Sequence, residues 1–136
     1  MKRSFVGLIT VAVMGMTLFG AAAARASQTV TWTGNGLDSV TQCVKGVDTP
    51  HLHWVLTPGG QPVEGTTAEL FINGKDRGQM APVGNSGALQ LTVKVSPKTT
   101  IEQLETWSVY AVITSGSVGE NAVLTISDGC LCHYGS

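Results

Sequence analysis

Apolar residues recur at alternate positions through most of residues 29–126, the spacing of strands that bury one face and wet the other. From Ala88 to Val95, Leu89, Leu91, Val93 and Val95 share one side, and Gln90, Thr92 and Lys94 share the opposite side. The same parity sets Val30/Trp32 against Thr29/Thr31/Thr33. It recurs in Leu52/Trp54/Leu56, Ala68/Leu70/Ile72, Trp107/Val109/Ala111/Ile113 and Ala122/Leu124/Ile126. With a short segment around Val40 to Val44, the pattern predicts about seven strands. Turn residues fall between them: Gly34-Asn35-Gly36, Pro58-Gly59-Gly60, Gly84-Asn85-Ser86-Gly87 and Ser115 to Gly119. Asn73-Gly74 predicts a two-residue hairpin or a longer loop through Gly78, since both residues accept positive φ at low cost. The one helical piece expected is a single turn over Thr99 to Glu105, with Ile101 and Leu104 three apart.

These features predict an all-β fold, an antiparallel β-sandwich of immunoglobulin or fibronectin-III-like general architecture. A small closed barrel is the second choice. The stretch Leu104 to Ile126 places a turn, an aromatic (Trp107 and Tyr110 are the candidates), an alternating strand, a Gly/Ser loop and another strand in order. In this it resembles the end of fibronectin type III domains.

The amino-terminal residues follow a different pattern. Met1-Lys2-Arg3 is basic, Val6 to Ala24 is almost wholly apolar, and Ala24-Arg25-Ala26 offers small residues at two spaced positions. This is the layout of a signal peptide over residues 1–26, cleaved before Ser27. The apolar run approaches membrane-spanning length, but its small-residue end suits cleavage better than anchoring. Cys43, the first cysteine, lies too far from the junction for a lipid anchor. The expectation is a protein secreted, periplasmic or at the cell surface, with no membrane insertion after cleavage. Removal of 26 of the 136 residues leaves 110, enough for a single β-sandwich domain over 27–136 with a short Cys/His tail.

Loss of Lys2, Arg3 and Arg25 leaves five basic against nine acidic residues. A surface of that sign disfavours nucleic acid as a partner. The acidic residues are scattered and match no calcium-loop spacing.

In an oxidising compartment thiols pair, but Cys43, Cys130 and Cys132 cannot all pair within one chain. Cys43 with either Cys130 or Cys132 closes a long loop worth about 4 kcal/mol by chain entropy, and Cys43 with Cys130 is the favoured disulfide. Cys132 then remains in the tail and is available for a disulfide-linked dimer.

Three kinds of chemistry compete for the remaining residues. His51 and His53 share one face of a strand and can reach one copper or zinc ion, with Cys132 or His133 as a third ligand. The plainer alternative leaves both imidazoles in solvent, since Leu52/Trp54/Leu56 take the core side. Three tryptophans raise sugar binding, yet parity sends Trp32, Trp54 and Trp107 to the core. Phe71 and Tyr110, with Tyr134 in the tail, are left as scattered outward aromatics, and Phe71 beside Glu69 and Asn73 is a possible contact surface.

No catalytic motif is present: there is no Gly-x-Ser-x-Gly, no His-Glu-x-x-His and no phosphate loop, and Cys132-His133 are mere sequence neighbours. Glu102 and Glu105 suit the polar side of the one-turn connector. No cofactor is implied. The sequence therefore predicts a non-enzymatic extracellular or cell-surface interaction module, partnered by a protein or cell-surface component. The alternatives are a small metal-binding protein and a carbohydrate-binding module.

Overall fold

A computed structural model describes residues 28–60 and 65–134. The expected signal segment and its cleavage junction lie outside the described residues. In chain order the elements are β1 (Thr29–Thr31), a 3-10 turn (Leu37–Ser39), β2 (Val40–Gln42), β3 (His51–Thr57), β4 (Thr67–Ile72), β5 (Lys75–Gln79) and β6 (Ala81–Pro82). They continue with β7 (Leu89–Lys94), α1 (Ile101–Leu104), β8 (Val109–Ser115) and β9 (Val123–Leu131). The strands form a four-stranded sheet, β1-β8-β4-β5, and a five-stranded sheet, β2-β9-β3-β7-β6. The fold is all-β, as the alternation predicts.

Alternation explains how the two sheets share a core. Leu52, Trp54 and Leu56 of β3 are buried, as are Ala68, Leu70 and Ile72 of β4 and Val109, Ala111 and Ile113 of β8. Together with Leu124 and Ile126 of β9 they form one hydrophobic cluster drawn from both sheets. Trp54 is its largest fully buried side chain. Trp32 meets it edge-on, with ring centroids 5.2 Å apart and planes at 90°, an arrangement the ring quadrupoles favour. Trp32 Nε1 donates to Asn35 O at 2.8 Å, whereas Trp54 Nε1 is buried without a partner. Its ring burial must outweigh that lost hydrogen bond.

Several details depart from the expected pattern, each for a local reason. Among the described residues there are nine strands rather than about seven, because β5 and β6 carry no apolar alternation that a pattern search can register. β5 is made by the turn before it: Asn73 and Gly74 have φ of 52° and 83°, and Ile72 faces Lys75 in a two-residue hairpin. The five-stranded sheet is mixed, not purely antiparallel, because β2 runs parallel to β9. The helical turn is shorter than expected and starts after Thr100, whose hydroxyl accepts from Gln103 N–H while Gln103 Oε1 accepts from Thr100 N–H. That reciprocal cap fixes its beginning.

β9 holds the largest departure. Trp54 pairs with Ile126 and His53 with Asp128, leaving Ser127 as a bulge. The extra residue reverses the parity of everything after it. Leu124 and Ile126 point inward before the bulge, and Leu131 enters the core after it. Cys130 is thereby placed beside His51, its Sγ 3.9 Å from Nδ1, and is disulfide-bonded to Cys43 across a sequence separation of 87. Cys132 is a half-buried free thiol just beyond the strand.

Three stability measurements check this architecture. Trp54→Ala is expected to cost roughly 3 to 5 kcal/mol in urea unfolding, and a loss below about 1 kcal/mol would show that the ring is not a core residue. Cys43→Ser is expected to cost on the order of 2 to 5 kcal/mol, and Cys132→Ser to leave the unfolding midpoint nearly unchanged.

Candidate functional site

The edge of the molecule where β5 and the end of β7 come together is built from short turns, and Trp107 stands in the middle of it. Parity from Val109 backwards sends Trp107 into the core, but β8 begins only at Val109. Trp107 precedes the strand, reached from the end of α1 by Trp107 N–H donating to Leu104 O at 3.1 Å. It is half-buried, packed on the core at one side and open at the other. Of the three tryptophans it is the one that reaches solvent, since Trp32 is 7% and Trp54 0% exposed.

Trp107 lines two clefts. The first, of about 410 Å³, is formed with Trp32, Thr33, Gly34, Leu37 and Glu105. Between its lining residues Gly34 and Leu37 stands Gly36, where a Cβ would fall 2.0 Å from Ile126 O and where φ is 86°, so no other residue fits this turn. The second cleft, of about 390 Å³, is lined by Ile72, Asn73, Lys75, Arg77, Lys94, Val95, Ser96, Thr99 and Trp107. Asn73 is pinned to the first residue of the approach to β8: Ser108 N–H donates to Asn73 Oδ1 at 2.9 Å, and Asn73 N–H donates to Ser108 O at 2.7 Å.

The second cleft is cationic. Lys75, Arg77 and Lys94 are three of the five basic residues beyond position 26. Among the described residues none of them forms an ion pair with a carboxylate. Strand alternation sorts the charges of the β5 sequence Lys75-Asp76-Arg77: the two cations line the cleft, while Asp76 pairs across from Phe71 on the outer side. Arg77 Nη2 donates to Lys94 O at 3.3 Å, a link from the four-stranded sheet to the five-stranded one at their open edge.

The outward aromatics expected to be scattered are neighbours. Phe71 and Tyr110 face each other across β4 and β8, with ring centroids 5.2 Å apart and planes within 4°. The rings spend a face on each other, as stabilising cross-strand pairs do, which makes them a poorer platform for a ligand than an isolated ring. The signal for this contact is strand register, which alternation alone does not supply. Nearby, Glu69 is held above the ordinary carboxylate range by a hydrogen bond with Asp76, by the repulsion of its charge and by partial burial.

The candidate metal ligands are split between β3 and the turn after β9. His51 Nδ1 lies 2.7 Å from Thr49 O. His53 stands between Asp128 Oδ2, 3.3 Å from Nδ1, and Gln90 Oε1, 2.7 Å from Nε2. Cys132 and His133 lie in the turn after β9, where Gln42 Nε2 donates to Cys132 O at 2.7 Å. Among the described residues no three His, Cys, Asp or Glu side chains gather as a metal-binding group, and no helix is long and apolar enough to cross a membrane. Comparison with known proteins finds no matching family model, no matching curated protein and no matching solved structure.

The Glu69–Asp76 pair gives a pH test. A raised carboxyl pKa means that the folded protein keeps a proton the unfolded chain has lost. Stability therefore falls as pH rises from the ordinary carboxylate range through the raised value. Asp76→Asn removes the repulsion while keeping an oxygen to accept from Gly78 N–H, which donates to Asp76 Oδ1 at 2.9 Å in the parent protein. The melting temperature of the variant should exceed that of the parent at pH 7, and the gap should close as the pH is lowered and Glu69 takes up its proton. An equal shift at pH 7 and at low pH would exclude the repulsion as its cause.

Proposed function

We propose that the chain loses residues 1–26 on export and acts, without catalysis, as an extracellular or cell-surface interaction module. In this reading its two sheets are a β-sandwich of immunoglobulin or fibronectin-III-like general architecture, and its contact end is the one around Trp107. The observation that carries the assignment is that a half-exposed tryptophan separates two clefts, one of them cationic in a chain whose residues 27–136 are acidic overall. Aromatic rings on open, concave surface are the usual anchors of recognition sites. A packing role alone does not call for the ring to stay open to solvent or for charges of one sign to collect beside it.

A carbohydrate-binding function is the second reading favoured by the same residues, since Trp107 has Asn73, Ser96 and Thr99 for polar company. The metal reading has less support, because His53 already has a side-chain neighbour at each ring nitrogen and His51 Nδ1 is taken by a backbone carbonyl.

The protein and its Trp107→Ala variant, both checked for native fold by circular dichroism, are compared for retention on the surface of the producing cells. Retention of the parent with loss of at least tenfold in the variant is the expected result. Equal retention of the two would move the contact end elsewhere.

A further inference from the structure

We infer that the cleft between β5 and β7 binds an acidic sugar residue, with its carboxylate or sulfate held by Lys75, Arg77 and Lys94 and its ring against Trp107. This rests on the reading of the Trp107 end as the contact end and names what it recognises.

Charge is the first argument. Three cations converge on one concave surface, none neutralised by an ion pair with a described carboxylate. Like charges brought together on a folded surface repel, and a cleft concentrates their field instead of letting solvent spread it. An anion entering the cleft relieves that repulsion. Arg77 is also partly prepared for such a guest: its Nη2 is tied to Lys94 O, which limits the rotamers lost on binding, and the rest of its planar fork suits a carboxylate or sulfate.

Size and polarity make the second argument. A bare oxyanion does not fill a cleft of about 390 Å³, so the anionic group must be carried on a larger body. The remaining lining is mixed: Trp107 and Val95 supply apolar surface, and Asn73, Ser96 and Thr99 supply hydrogen-bonding groups. A sugar ring presents the matching combination, with C–H groups over an aromatic ring and hydroxyls around its rim.

The test titrates the purified protein with five probes while following tryptophan fluorescence, in which Trp107 is the half-exposed reporter. The probes are trigalacturonate, a sulfated galactose trisaccharide, neutral galactotriose, triglutamate and sodium sulfate. One or both acidic trisaccharides are expected to bind at least tenfold more tightly than the neutral one, with affinity falling as salt rises, and the tighter of the two identifies the anionic group. The triple variant Lys75→Gln, Arg77→Gln, Lys94→Gln should lose at least tenfold in affinity, while Lys45→Gln, whose residue does not line the cleft, should bind like the parent.

Galactotriose binding as tightly as the acidic sugars would overturn the role of charge. Triglutamate or sulfate binding equally well would overturn the sugar, and no binding by any probe, or an unchanged triple variant, would overturn the site. Surface retention that depends on Trp107 but survives the triple substitution would leave the contact end standing and remove this cleft as its acidic-sugar site.

Discussion

The pairing of β3 with β9 is the constraint on which the rest of the molecule depends. β3 sits inside the five-stranded sheet with a neighbour on each side and places Leu52, Trp54 and Leu56 in the shared core. Its partner must meet two demands at once: apolar side chains facing that core and a cysteine facing the other way, toward Cys43. A regular strand cannot do both with Leu124, Ile126, Cys130 and Leu131 in their given positions, because Ile126 and Cys130 have the same parity. The bulge at Ser127 resolves the conflict by switching parity once, in mid-strand. Gly129 follows from the same pairing: a Cβ there would lie 2.5 Å from His51 O.

This conflict also marks where the sequence stops being legible. Strands with uninterrupted alternation, such as β3, β4 and β7, can be placed from apolar parity because burial of one face imposes it. β9 reads only as far as Ile126, since a bulge erases the period on which the reading depends. β5 has no apolar face, and only Asn73-Gly74 announces it. A long-range disulfide from Cys43 is legible from the cysteine count and loop size, but loop size does not separate Cys130 from Cys132, and the bridge's location beside His51 is not legible at all.

The candidate site is less legible still. Trp107 lies in phase with β8, and parity extended by one turn too many consigns it to the core. The gathering of Lys75, Arg77 and Lys94 depends on an edge strand and on the end of another strand in the opposite sheet, which no local pattern connects. Phe71 and Tyr110 show the reverse case: they look separate in sequence and are made a pair by register, whereupon each shields a face of the other. In β5 the short run Lys75-Asp76-Arg77 reads as mixed charge, yet strand geometry resolves it into two surfaces of opposite sign. The acidic one adjoins Glu69, and the basic one belongs to the cleft.

The disulfide has a mechanical consequence. It joins Cys43 to Cys130 across 87 residues, so tension applied at the two ends of the chain passes through the sulfur bridge and bypasses everything between them. Every strand from β3 through β8 lies within the bypassed loop. Only the segments before Cys43 and after Cys130 can be drawn out, and the first of these is clamped by β1 on β8 and by β2 on β9. Because β2 runs parallel to β9, a pull along the strands loads several of their hydrogen bonds together in shear instead of opening them one after another. The bridge thus divides the chain into a closed loop that force cannot reach and two end segments that carry it.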